Sequence, residues 1–160
     1  GREVAGVENS LASLFEGAPY VLCPKPDLQS DRLARLRGLV ERIGAEPCIM
    51  SPEEHDRAIA WVSHLPQLLS TALANITDVE QIRISGRGFR DMVRLAGSSY
   101  SVWRGIFQTN SDKIDLALSA FVAQLEKMRG DLKDGSLSEA FERARELYER
   151  IRSKQGPIQK

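Results

Sequence analysis

The sequence of 160 residues holds only two histidines and two cysteines, no excess charge of either sign and no long apolar run. Each shortage excludes something. Lys plus Arg number 22 and Asp plus Glu number 22, so no net charge draws the chain to nucleic acid or to an anionic membrane surface. No stretch approaches the roughly 20 apolar residues of a spanning helix. Cys23 and Cys48 sit singly in apolar runs without CxxC spacing. That usage favours buried thiols in a reducing, cytoplasmic setting over a disulfide framework or a zinc site. His55 and His64 are about two and a half helical turns apart, so one straight helix puts them on opposite faces, and no metal pair is expected. Gly86 and Gly88 do not extend to GxGxxG, and there is no P-loop, HExxH or nucleophile elbow. The first residues, Gly1-Arg2-Glu3-Val4, lack an initiator Met and an apolar signal core, and read as a cut.

What is present changes character near residue 50. Before it, Pro19 to Cys23 is a short apolar run between Gly17 and Pro24, which suits a buried strand. Asp31 to Ile43 reads as a helix with Leu33, Leu36, Leu39, Val40 and Ile43 on one stripe and Gly44 as its stop. Pro47 to Met50 is a second strand candidate. Two strands make no stable sheet alone, so these residues are expected to belong to something larger. After residue 50 only helices are expected. Ser51-Pro52-Glu53-Glu54 is a capping box with Pro at the first helical position, opening a helix to about Ile76. Pro66 predicts a kink or break between His64 and Leu69. A loop over 82–88 and short helices over 89–96 and 102–109 follow.

The last third carries two narrow heptad seams. Ile114, Leu118, Phe121, Leu125 and Met128 form one; Leu137, Phe141, Ala144, Tyr148 and Ile151 form the other. Such seams pack as a hairpin or across subunits. Gly135 is expected to close the first helix, and Ser136 with Glu139 to open the second. The tail from Ser153 is expected to fray.

Few side chains suggest chemistry. His55, beside Asp56, reads as a surface or local pairing residue. His64 sits at the Pro66 disruption, where a cavity often forms. Asp91, Arg94 and Ser98 step by three and four on one predicted helix face. They form either an exposed ion pair or an oriented guanidinium offering two donors to a substrate carboxylate. Trp103 is either core or a wall of the same cavity.

Six word-like segments occur in order. They are Gly1-x-Glu3-x-x-Gly6-Val7-Glu8, Phe15-Glu16-Gly17-Ala18-Pro19-Tyr20-Val21-Leu22 and Ser51-Pro52-Glu53-Glu54-His55-Asp56, followed by Ser63-His64-Leu65-Pro66, Gly88-Phe89-Arg90-Asp91 and Trp103-Arg104-x-Ile106-Phe107. Together they resemble the C-terminal part of the prephenate dehydrogenase family, from Gly1 to about Met128 by motif and over the final hairpin by pattern. The resemblance implies a mainly α chain. Residues 1–50 would be an α/β remnant of a Rossmann-type nucleotide-binding domain, and residues 51–160 an all-helical dimerisation domain. It implies oxidative decarboxylation of prephenate to 4-hydroxyphenylpyruvate with NAD or NADP in the complete enzyme, with arogenate as the related substrate.

The same resemblance implies the site. Gly1 matches the glycine that ends a His-Pro-x-x-Gly motif, so the catalytic histidine would precede this chain. No catalytic residue, metal or bound cofactor is expected in the chain alone. Glu3 matches an acidic residue at the pocket mouth, and Arg94 the carboxylate-binding arginine, with Asp91 as its partner. Ser98 and Trp103 match pocket residues. Ser63 and His64 match the start of a Ser-His-Leu-Pro-His pattern, in which Gln67 replaces the second histidine. Gln67 can hydrogen-bond but carries no charge. Arg87 stands where a glycine is common, and Gly97-Ser98-Ser99 lacks the acidic side chain of relatives that select arogenate, which leans towards prephenate. A homodimer and a small-molecule substrate are the implied partners, with neither nucleic acid nor membrane. The rival from another class is a non-catalytic helical dimerisation or ligand-sensing module. A third reading is a different NAD-dependent dehydrogenase with a helical C-terminal domain.

Overall fold

The computed structural model of the chain describes residues 6–155, so Glu3 and the first residues of the opening motif lie outside the described residues. Two compact units are present, Gly1–Asp115 and Leu116–Lys160. The change of character near residue 50 falls inside the first.

The first unit opens with a 3-10 turn, Val7–Asn9, followed by strand β1 (Pro19–Leu22), helix α1 (Ser30–Arg42) and strand β2 (Glu46–Ile49). The strands pair in parallel, Pro19 opposite Glu46 and Leu22 opposite Ile49. They start together because Gly17 N–H donates to the Gly44 carbonyl at 2.8 Å and Glu46 N–H to the Ala18 carbonyl at 2.9 Å. Gly44 ends α1 at a φ of 81°, a left-handed position, and a Cβ there would meet Glu16 Cγ at 3.0 Å. Leu22, Val40 and Ala45 are buried together, with Phe15 and Leu33 packed against them. The rest of the expected α1 stripe, Leu36, Leu39 and Ile43, remains exposed. A two-stranded sheet with half of its helix stripe uncovered is too small to be a finished layer.

Helix α2 (Pro52–Ile59) begins as the sequence predicts. Ser51 Oγ accepts from Glu54 N–H at 3.2 Å, and Glu54 Oε2 accepts from Ser51 N–H at 2.8 Å. The Ser51 bonds hold the Glu54 carboxyl below the usual carboxylate range. The helical path continues through a π turn (Ala60–His64) into α3 (Leu65–Ile76). The break expected near Pro66 is therefore a widened turn before it: Leu65 N–H donates to the Ala60 carbonyl, five residues back. Proline has no N–H and its ring crowds the carbonyl four residues earlier, and one extra residue in the turn relieves both.

Next come α4 (Val79–Ile82), α5 (Arg87–Val93), a 3-10 turn (Arg94–Gly97) and α6 (Tyr100–Thr109). Helix α4 lies between the expected end of the preceding helix at Ile76 and the segment expected as loop, sharing only Ile82 with it. The Gln81 Oε1 acceptor for Asp78 N–H, at 3.0 Å, supplies its cap. The helix expected over 89–96 changes type at Arg94, so Asp91, Arg94 and Ser98 do not share one α-helical face.

Helix α7 (Ser111–Asp134) passes from the first unit into the second, where α8 (Ser138–Gln155) follows. Gly135 closes α7 at a φ of 69°, as expected, and Ser136 N–H donates to the Asp131 carbonyl at 2.9 Å. The Ser136 hydroxyl also points back to that carbonyl, at 3.4 Å, so Ser136 finishes α7 and does not open α8 with Glu139. The residues from Ser153, expected to fray, continue α8 to Gln155.

Candidate functional site

A cavity of about 380 Å³ lies within the first unit. Ser63 reaches it from the π turn, Gln67 from α3, Arg94 from the 3-10 turn, Ser98 from just beyond that turn, and Trp103 from α6. Val62, Pro66 and Leu95 supply its apolar surface. Five of the expected site residues thus meet at one place, although they span forty positions of sequence.

Two buried polar side chains of α3 set this geometry. Gln67, only 4% exposed, donates from Nε2 to the Leu95 carbonyl at 2.9 Å. Ser70, equally buried, accepts through Oγ from Ala96 N–H at 3.0 Å. Both bonds grip the 3-10 turn that carries Arg94. They satisfy backbone groups that a short turn cannot satisfy itself, and a buried group left unpaired would cost roughly 1–3 kcal/mol. Gln67 Nε2 also lies 3.4 Å from Thr71 Oγ1. With both amide hydrogens so directed, Gln67 has only its Oε1 acceptor left, and that atom has no partner among the described residues.

Arg94 lines the cavity and stays exposed. Asp91 is not part of the lining; its carboxylate lies 3.5 Å from Arg87 Nε, i to i+4 on α5. Arg87 thus engages Asp91 on the surface.

His64 does not line the cavity. It is buried behind the wall, with its ring edge-on to Trp103 at a centroid distance of 6.0 Å. Trp103 in turn stacks on Phe107 at 5.5 Å. Asn110 Nδ2 lies 3.3 Å from His64 Nδ1 and donates to the Asp56 carbonyl at 2.8 Å. Burial holds the His64 ring below the ordinary histidine range; the His55 charge pushes the same way and Asp56 opposes it. His55 itself pairs locally with Asp56 at 2.9 Å, as expected, and both residues are half-buried.

Ser70 and Asn110 carry no signal in the sequence. A serine within an apolar helix and an asparagine between two helices are ordinary, and only the long-range bonds mark them. Among the described residues, no group of three or more His, Cys, Asp or Glu side chains is placed to hold a metal ion. Among the described residues, no helix is long and apolar enough to cross a membrane either.

Residues 51–149 match the family model described as prephenate dehydrogenase, dimerization domain. The prephenate dehydrogenase of Bacillus subtilis is 32% identical over 135 residues, covering 81% of this chain and 36% of that protein. Among solved structures, prephenate dehydrogenase from A. aeolicus, in complex with hydroxyphenyl propionate and NAD+, superposes with a TM-score of 0.80 at 30% identity, over 94% of this chain and 55% of that one. Synechocystis arogenate dehydrogenase gives a TM-score of 0.73 at 26% identity, over 87% of this chain and 53% of that one. The chain thus spans between about a third and just over half the length of these relatives.

Proposed function

The chain belongs to the prephenate dehydrogenase family, and we propose that it supplies the substrate pocket and the dimer interface of an enzyme that converts prephenate to 4-hydroxyphenylpyruvate. The observation that carries this reading is the convergence of Ser63, Gln67, Arg94, Ser98 and Trp103 on one cavity. The cavity has the size and the mixed lining of a small-molecule site, with apolar walls and few polar groups. Arg94 offers a planar fork of donors to a substrate carboxylate, Ser63 and Ser98 offer hydroxyls, and Trp103 is a flat wall for the ring. Asp91 acts outside the pocket, and His64 acts through Trp103. Gln67, with its donors directed to Leu95 and Thr71 and its Oε1 buried, offers no donor to the cavity, so the second carboxylate is not held by Gln67. Glu3 belongs to the same proposal as an acidic residue at the mouth.

Among the described residues, β1 runs on into Cys23-Pro24-Lys25, with no glycine-rich turn to approach a pyrophosphate. In the complete enzyme NAD or NADP accepts the hydride, and the β1–α1–β2 unit of residues 1–50 is a remnant of the domain that holds it. Cytoplasmic location is part of the same reading.

The dimer is proposed to form on the second unit. α7 and α8 leave a groove of about 490 Å³ lined by Met128, Phe141 and Ala144 among others. The α8 seam is bare: Phe141 is 67% exposed, and Tyr148 and Ile151 are exposed too. An apolar heptad seam without cover fits a second copy of this chain, the self-complementary arrangement of a two-fold dimer.

Titration calorimetry of this chain with prephenate tests the pocket. Binding is expected, and Arg94→Ala should weaken it by about 1.5–3 kcal/mol, roughly ten- to a hundredfold. No NADH should form when NAD is added. Equal affinity in Arg94→Ala would return the arginine to a surface role, and turnover by this chain alone would sink the assignment of the catalytic histidine to a preceding segment.

A further inference from the structure

The pocket lining leaves one buried polar pair unexplained. Asn110, 5% exposed, joins α6 to α7, and one nitrogen of its amide faces two acceptor positions: the Asp56 carbonyl at 2.8 Å and His64 Nδ1 at 3.3 Å. A backbone carbonyl can only accept, so the amide must turn its NH2 towards Asp56. The second hydrogen of that same nitrogen then serves His64 Nδ1. A ring nitrogen that accepts a hydrogen bond carries no proton, which leaves the single proton of a neutral imidazole on Nε2.

We propose that Asn110 is a positioning residue that fixes His64 as the neutral Nε2–H tautomer, so that the layer behind Trp103 holds one oriented donor and no charge. Protonation at Nδ1 would set N–H against N–H across 3.3 Å, and burial opposes the charge independently. The charged groups acting on the ring are His55, which disfavours protonation, and Asp56, which favours it, both on α2. Turning the ring over would bring Cδ2 to the place of Nδ1 and break the Asn110 bond, so Asn110 selects the face of a ring that stands edge-on to Trp103, a residue of the cavity wall. Asn110 thus links the α6–α7 junction to the packing behind Trp103 without lining the cavity. The consequence for substrate rests on the pocket reading above; the tautomer does not.

The 160-residue chain has two histidines, so ring nitrogen-15 correlation spectra resolve them, and His55→Gln assigns the remaining set. His64 should show an unprotonated Nδ1 and a protonated Nε2, unchanged as the pH falls to the ordinary histidine value of about 6.5. In Asn110→Asp, a carboxylate replaces the donor; the proton should move to Nδ1 and the titration midpoint should rise by roughly 1–3 pH units. Asn110→Ala should give a mixture of tautomers, and it decides the matter if the Asp variant does not fold. A native His64 protonated on Nδ1, or an Nε2–H signal that both folded variants leave unchanged, overturns the proposal. In the complete enzyme, a mixed tautomer in Asn110→Ala with an unchanged KM for prephenate would instead overturn the pocket reading and leave the tautomer standing.

Discussion

Between Pro52 and Asn110, short helices are tied together by buried polar bonds between residues far apart in sequence. Gln67 holds Leu95, Ser70 holds Ala96, and Asn110 holds both Asp56 and His64. In the second unit the recorded ion pairs join residues three or four apart on one helix: Glu126 with Arg129, Lys127 with Asp131, Glu139 with Arg143, and Arg145 with Glu149. Such exposed pairs contribute a few tenths of a kcal/mol each and carry no tertiary information. The apolar groups differ in the same sense. In the first unit Ala60, Leu65 and Ile114 are buried, whereas Leu132, Phe141, Leu147 and Tyr148 of the second unit are more than half exposed. The first region secures its own geometry, as a pocket must if its side chains are to meet a ligand in a fixed arrangement. The second is patterned for burial but leaves its α8 seam exposed, the surface proposed above for the dimer.

The contrast breaks most visibly at Phe141. Phe141→Asp places a charge on the bare seam and should weaken self-association by about 2–4 kcal/mol, the range of an interface hot spot. Sedimentation equilibrium of the native chain should show dimer, and of the variant monomer at the same concentrations, with the far-ultraviolet helical signal retained. An unchanged assembly state would mean that the seam is not the interface.

A smaller effect is expected at Ser70. Ser70→Ala leaves the Ala96 N–H buried and unpaired, which should lower stability by about 1–2 kcal/mol in urea unfolding. Prephenate binding should weaken with it, because the 3-10 turn carrying Arg94 loses one of its two anchors. Full stability and full affinity together would show that Gln67 alone holds the turn.

The smallest effect concerns pH. The folded state holds His64 neutral, so its pKa is below the unfolded value of about 6.5. The stability it contributes is complete above that value and is lost as the pH falls through the lower, folded pKa, because the unfolded ring takes up its proton first. Between pH 7 and pH 5 the native chain should therefore lose more stability than His64→Gln. Parallel losses in the two proteins would place His64 in contact with solvent.

The local features of the chain were legible because each depends on a few neighbouring residues. The capping box at Ser51 and Glu54, the left-handed stops at Gly44 and Gly135, and both heptad seams follow from spacing and from the conformational freedom of glycine. Helix α4, the π turn and the change of helix type at Arg94 were not legible in this way. A proline inside a helical pattern predicts a disturbance but not whether the helix kinks, stops or widens. The 3-10 turn is held by side chains from α3 twenty-six and twenty-eight residues away.

The candidate site divides along the same line. The ordered motifs nominated Ser63, Gln67, Arg94, Ser98 and Trp103 through the family resemblance, and residue type alone fixed only what each side chain can donate, accept or stack on. Only the tertiary structure decided that they share one cavity, that His64 stands behind Trp103, that Asp91 faces Arg87, and that the Gln67 donors are already engaged. The physical reason is the same in every case. Residue type limits what a side chain can donate, accept or bury, whereas which of its hydrogen bonds remain for a ligand depends on partners that only folding brings within 3 Å.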